Sequence, residues 1–273
     1  MLGNYIDTSN MCYPVLWTMP VDFHLSIIGI ILHCIFTKNR RAGILIFGFL
    51  FVASLIMPGY VTYQRKLPGA PIIDLMSSLN YRQSIFLNPT YIWSHLRGGP
   101  YFIGMIAGYL LSVYKPINHR RIIPKLISTI GVVISLITAA MILSIGSRFY
   151  DKSKPYNVWE AAIFASVNRT IWAAAMASII MLCEYGTVPI VGSFLSWQAW
   201  VPLSRLSYGI YLLNCMIFGC MVYATRVTLT HDILLIFINV LGVTMMCNIV
   251  AYILHIFWEA PILEIFNIFI DYM

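Results

Sequence analysis

Apolar residues along this chain fall into blocks of about 20 separated by short polar stretches, the length of helix needed to cross roughly 30 Å of hydrocarbon. The blocks cover approximately 19–36, 42–58, 100–114, 126–146, 158–183, 203–223 and 233–258. Each is expected to be helical, because lipid offers backbone groups no hydrogen-bond partners and a helix satisfies them internally. The pattern predicts an all-α, polytopic transmembrane helical bundle of about seven spans, in a single domain over residues 1–273. The third block is short and the second is followed by Pro58 and Gly59, so six spans plus a re-entrant segment is the competing count. The longest loop, roughly 59–99, holds Pro68, Pro71 and Pro89 among scattered Tyr, Asn and Ser. Such a loop resists a long uninterrupted helix and predicts an irregular or partly helical cap over the bundle.

Composition agrees with the pattern. Hydrophobic residues make up 60% and charged residues 10% of the chain, with a mean hydropathy of +0.81, and a soluble domain would need far more polar surface to cover itself. The net charge of +7 does not mark a nucleic-acid binder, because the 17 Lys and Arg fall almost entirely in loops between apolar blocks. They read as topology signals and contacts to lipid headgroups. Cys34, Cys183, Cys215, Cys220 and Cys247 lie in or beside apolar blocks, where disulfide frameworks are uncommon, and only Cys12 is in a clearly polar segment. Residues 1–18 lack a basic n-region and a cleavage site, so the first apolar block must serve as membrane-entry signal or the true N-terminus lies upstream.

Counting Lys and Arg by loop nearly ties. One side has Lys38, Arg40, Arg41, Lys115, Arg120, Arg121, Lys125 and Arg205; the other has Arg65, Lys66, Arg82, Arg97, Arg148, Lys152, Lys154 and Arg226. The dense clusters after the first and third blocks, close to span ends, point those loops to the cytoplasm. That orientation puts the N-terminus outside or in a lumen and the C-terminus inside, in the plasma membrane or endoplasmic reticulum.

An ionisable residue at bilayer depth costs about 3 kcal/mol on insertion scales, so each one raises a question of function. In the first block Asp22 and His33 are 11 positions apart and share a face, on which they are expected to line an interior polar track, while His24 points nearly opposite. The bland alternative leaves Asp22 and His24 marking the span's end. Arg169 lies mid-block beside Asn168 and must reach a carboxylate, a headgroup or a bound anion; a structural pair and an anion contact are both open. The sequon at Asn168 is discounted, since a helix in the bilayer accepts no glycan. In the sixth block Ser207, Tyr211 and Asn214 share one face, either lining a cavity or bonding between helices. Asn248 and His255 share a face of the seventh, with Glu259 four further on. Gly104 and Gly108 form a small-xxx-small pattern that lets a neighbouring helix come close, and Arg97 precedes them where it meets headgroups or an anionic substrate.

These segments combine into a resemblance. The run CYPVLWTMPVDFHL, from Cys12 to Leu25, resembles the Cys-x4-Trp-Tyr-Leu-x2-Asp-x-Gln stretch of the insect and nematode "nose resistant to fluoxetine" branch of the acyltransferase-3 superfamily. YIWSHLRGGPYFIGMIAGYLL, from Tyr91, is similar to that branch's Tyr-x-Arg-x-Gly-Pro-Tyr-x2-Gly-x3-Gly-Tyr signature. NRTIWAAAMASIIMLCEYG, FLSWQAWVPLSRLSYGIYLLN and WEAPILEIF continue the likeness in order. The resemblance carries over Trp17, Asp22, Arg97, Pro100, Tyr101, Gly104, Gly108, Arg169, Pro202, Leu203, Ser204, Arg205 and Tyr208. Thr18 stands where Tyr is usual, His24 where Gln is usual, and Asn214 where His is usual.

What the resemblance implies is transfer of an acyl group from a CoA or lipid donor to a hydroxyl or amine acceptor, with acyl-CoA as co-substrate, membrane lipids as partners, and no bound metal or cofactor. It implies Arg97, Tyr101, Arg169, Ser204, Arg205 and Tyr208 as substrate contacts and Asp22, His24 and His33 as supporting residues. The superfamily's proposed catalytic His lies in spans ahead of anything present here, as does a cysteine-bearing extracellular domain, so the chain is expected to be the C-terminal part of such a protein. The other function class is a non-catalytic membrane protein that transports or senses lipids or hydrophobic small molecules. A seven-span receptor is disfavoured, since no Asp-Arg-Tyr follows the third block and no Asn-Pro-x2-Tyr appears in the seventh.

Overall fold

The computed structural model describes residues 13–70, 89–115, 122–151, 155–224 and 232–271, and every regular element among them is helical. Cys12 and the basic residues Arg82, Arg120, Arg121, Lys152, Lys154 and Arg226 lie outside the described residues, as does 71–88 of the expected cap. The chain divides into two compact units, 1–193 and 194–273.

The first unit opens with a 3-10 turn at Pro14–Trp17 and runs directly into α1, Thr18–Lys38. Asn39 alone separates α1 from α2, Arg40–Arg65, closing one helix and capping the next through its side chain, which accepts from the Ala42 amide at 3.2 Å. The hairpin is tight because position 43 is glycine: a Cβ there would lie 2.7 Å from the Phe36 Cα. α2 passes Pro58, where the sequence placed its end, and continues to Arg65. The Thr62 hydroxyl donates to the Pro58 carbonyl at 2.7 Å, and the helix stops only at Lys66, in the left-handed region at φ 50°.

After α3, Pro89–Ile92, and a 3-10 turn at Ser94–Leu96 come α4, Gly98–Val113, α5, Lys125–Ser147, and α6, Val158–Tyr185. α6 is the hub, packing on α2, α4 and α5. Its buried face is Ala161, Ala162, Ala165, Thr170, Ala175 and Ile179, small enough for backbones to approach. A Cβ on Gly59 of α2 would lie 2.9 Å from the Ala162 carbonyl, and one on Gly131 of α5 would lie 2.7 Å from a Leu182 methyl. Ser135 of α5 and Ser178 of α6 share a hydrogen bond at 2.7 Å. Tyr185, at the end of α6, donates to the Tyr114 carbonyl at the end of α4.

These close approaches differ from the expected Gly104–Gly108 pattern. A Cβ on either residue meets nothing within 4 Å; the glycines of α4 that need to be small are Gly98 and Gly99, the latter pressed on Thr170 of α6. Spacing identifies a small-residue face, and here the helix turns a different face to its neighbour.

A short helix, α7, Pro189–Leu195, leads into the second unit. There α8, Trp200–Ala224, packs on α9, Ile233–Leu254, through Leu206, Leu213 and Ala251. A π-helical turn, His255–Glu259, joins α9 to α10, Ala260–Asp271, so helix persists from Ile233 to Ile270. His255 Nδ1 lies 3.0 Å from the Glu259 carboxylate, the pairing expected from their spacing.

Among the described residues five stretches are long and apolar enough to cross a membrane: Val15–Lys38, Arg40–Arg65, Lys125–Tyr150, Val158–Tyr185 and Ile233–Ile270. α4, at 16 residues, is shorter. Leu45 and Phe49 on α2 and Leu126 on α5 are each more than 70% exposed, apolar surface that water would not tolerate in such quantity and lipid does. The chain is an integral membrane protein by these features.

Candidate functional site

The first unit gathers residues far apart in sequence around the start of α4. Arg97 is the residue before α4, positioned by the preceding 3-10 turn, and its Nε donates to the Tyr91 carbonyl at 2.9 Å. Its guanidinium lies 4.4 Å from the Tyr91 ring centroid and 4.6 Å from that of Trp17, and the two rings are 4.9 Å apart. A planar cation held against two ring faces is fixed in orientation as well as place. On the next layer His24 Nδ1 lies 3.0 Å from Ser94 Oγ, tying α1 to the 3-10 turn, while the Arg65 guanidinium lies 5.0 Å from the Trp93 ring.

Gly99 lets the first turn of α4 touch Thr170, and so brings Arg97 beside Arg169 on α6. The two arginines line one cavity of about 550 Å³ between α4, α5 and α6, together with Asn168, Tyr150, Phe164 and Trp172. They are near enough for each guanidinium to feel the other's charge. Among the described residues the lining contains no Asp or Glu. Glu160, the acidic residue of this end of α6, lies instead 3.5 Å from Arg148 on the exposed surface. Two guanidiniums on one cavity have the chemistry to contact an anion such as phosphate or carboxylate, and the first turn of α4 adds the positive end of a helix dipole. Arginine side chains serve as donors and cations and not as bases.

His24 and Ser94 have the composition of a base and nucleophile. Ser94 is only 2% exposed, and neither residue lines the cavity; the pair ties α1 to the 3-10 turn.

The other sequence candidates are dispersed. Asp22 and His33 share a face as expected, but that face is exposed; the buried face of α1 is Val21, Leu25, Gly29 and Leu32, and His24 is the residue turned inward. The interior polar track through Asp22 and His33 is therefore corrected, because the groove that α4 occupies on α1 is made by Gly29, against which the Tyr101 hydroxyl packs. Tyr101 accordingly contacts α1 and does not line the cavity. Ser204, Arg205 and Tyr208 belong to the second unit, all exposed on α8, and the Ser204 hydroxyl bonds back to the Val201 carbonyl at 2.9 Å. Ser207 does likewise to Ser204, so its hydroxyl bonds within its own helix; Tyr211 and Asn214 are exposed. Sequence reasoning did not single out Tyr91 or Ser94. The aromatic residue six positions before Arg97 was the available signal, since a stacked arginine needs such a partner.

A family model described as an acyltransferase domain matches residues 2–257. Among curated proteins, nose resistant to fluoxetine protein 6 of Caenorhabditis elegans is 22% identical over 223 residues, covering 78% of this chain and 26% of the relative. The chain thus spans about a quarter of that relative's length. No solved structure matches.

Proposed function

This chain belongs to the acyltransferase-3 family, and from that premise we propose that it contributes to a membrane-bound acyltransferase whose Arg97–Arg169 cavity holds the anionic group of a donor or acceptor. The observation that supports the proposal is the pair of arginines lining one cavity. In an acyl transfer the acceptor hydroxyl or amine attacks the donor carbonyl, the carbonyl oxygen gains negative charge, and a base takes the acceptor's proton. Fixed guanidiniums suit anchoring of a phosphate or carboxylate beside that centre; the base would have to come from another part of the protein. The donor is read as acyl-CoA or a membrane lipid. The count is read as seven spans, with α4 and α8 added to the five long apolar stretches. The end bearing Lys38, Arg40 and Arg41 is read as cytoplasmic, in the plasma membrane or endoplasmic reticulum, and the Arg97 end as external or lumenal.

One observation favours the second reading, a non-catalytic carrier or sensor of lipids or hydrophobic molecules: the cavity lining includes no His, Lys, Cys or carboxylate among the described residues. Acyl transfer measured on the full-length protein in nanodiscs, with acyl-CoA and phospholipid donors, separates the two. Turnover is expected, with Arg97→Gln and Arg169→Gln each raising KM for the anionic reactant roughly tenfold to hundredfold. Absence of turnover by the wild-type protein would sink the enzyme reading. Turnover with unchanged KM in both variants would sink the anion-binding role of the cavity.

A further inference from the structure

At the opposite end of the first unit's helices lies a second cavity, of about 470 Å³, between the end of α1, the start of α2 and the end of α4. Its place follows from chain direction: α1 and α4 finish there, α2 begins there, and Tyr185 closes the same end of α6 onto Tyr114. Its body is apolar, with Phe36, Phe47 and Leu110 among the lining side chains, while Arg40 and His33 are the lining residues that can carry positive charge. The Phe36 ring carries the Arg40 guanidinium at 5.9 Å and meets Tyr109 edge-on at 5.6 Å. Among the described residues no carboxylate pairs with Arg40 and none lines the cavity. Lys38 and Arg41 flank it in sequence.

We propose that this groove is a binding site for an acidic phospholipid, its phosphate held by Arg40 and its acyl chain lying along α2 and α4. Three features select that occupant. The lining residues Ile44, Ile106 and Tyr109 are exposed on the outer surface of their helices, so the groove opens sideways to where lipid lies. The polar content is concentrated at one end, beside a basic cluster, and matches a headgroup with a tail. An acyl-CoA would bring several phosphates and an adenine, for which this lining offers too few polar groups. The proposal stands apart from the Arg97–Arg169 cavity and does not depend on turnover there.

The test is photo-crosslinking of the full-length protein in nanodiscs doped with phosphatidylglycerol or phosphatidylcholine carrying a diazirine in the acyl chain, with adducts mapped by mass spectrometry. Adducts are expected on peptides covering 32–47 and 105–112, with phosphatidylglycerol favoured roughly fivefold, the value of one basic residue at a membrane surface. Arg40→Gln should reduce labelling by phosphatidylglycerol to the phosphatidylcholine level. Gly108→Leu, at a position where a Cβ meets nothing within 4 Å, places a side chain in the groove and should abolish both adducts. Unaltered melting of Arg40→Gln and Gly108→Leu in detergent separates loss of binding from loss of fold. Equal labelling by the two lipids, labelling insensitive to Arg40→Gln or Gly108→Leu, or displacement by palmitoyl-CoA and not by unlabelled phosphatidylglycerol would each overturn the proposal.

Discussion

Replacing Arg97 tests the construction of the candidate site directly. Its guanidinium meets two rings at 4.4 and 4.6 Å, inside the range where each contact contributes about 0.5–2 kcal/mol. Its Nε bond to the Tyr91 carbonyl, at 2.9 Å, adds about 1.5–3 kcal/mol as a charged donor. Removing the charge also relieves repulsion with Arg169, which returns about 1 kcal/mol or more. Arg97→Ala is therefore expected to destabilise the first unit by about 2–5 kcal/mol, and Arg97→Lys by about half that, because an ammonium cannot face both rings and bond the carbonyl together. Melting in detergent, followed with a thiol-reactive dye, suits this chain: Cys34 is exposed and reacts at once, whereas half-buried Cys183 on α6 reacts as the helices part. A fall of roughly 5 °C or more for Arg97→Ala is expected. In a Trp17→Leu background the same replacement should cost about 1 kcal/mol less, the coupling energy of one ring contact. Melting of Arg97→Ala at or above the wild-type temperature would refute the assignment, showing that repulsion between the arginines outweighs the ring contacts.

Three further outcomes follow from the packing and charge of the first unit. Gly99→Ala should destabilise by about 1–3 kcal/mol, because the added methyl runs into Thr170, whereas Gly104→Ala should be neutral or stabilise by up to about 1 kcal/mol through helix propensity; the same dye melt compares them, and equal effects would contradict the packing. Tyr185→Phe should cost about 0.5–1.5 kcal/mol by removing its hydrogen bond to the Tyr114 carbonyl, and faster amide exchange at the end of α4 would register it. Partial desolvation holds the pKa of His95 below its ordinary 6.5, so the unfolded chain takes up the proton first. Stability should therefore be full at neutral pH and fall as pH drops below about 6.5, through the lowered folded value. His95→Gln should flatten that part of a melting-temperature profile; an unchanged profile would assign the dependence to another group.

Block length located the helices well, because the need to satisfy every backbone group in lipid is local and leaves a signal in each segment. The displacements are at helix ends: helix runs past the expected end at 258 to Asp271, and α2 runs seven residues past Pro58 to Arg65. A proline deletes one backbone donor, a loss that a membrane helix packed among neighbours tolerates. The π turn at His255 was not legible either, since it changes neither the apolar run nor the spacing of His255 and Glu259. A helix continuing to Ile270 has ordinary apolar sequence throughout.

The site was harder to read, for a reason specific to lipid. Periodicity grouped Asp22 with His33 and opposed His24 to both, and the structure keeps that grouping. It could not say which face turns inward, because in a membrane helix the outer face is as apolar as the inner one and amphipathicity no longer points to the core. The inward direction is set by close approach, here by Gly29 against Tyr101, Gly59 against Ala162 and Gly99 against Thr170. The last of these contacts places Arg97 and Arg169 on one cavity, although 72 positions separate them. Neither arginine alone distinguishes a headgroup contact from a binding group; what the structure adds is a second cation on the same cavity. A family motif therefore becomes informative about chemistry once its members are sorted by shared cavity. By that criterion Arg97 and Arg169 share one cavity, Tyr101 packs α4 on α1, and His33 lines the other cavity with Arg40 at the opposite end of the helices.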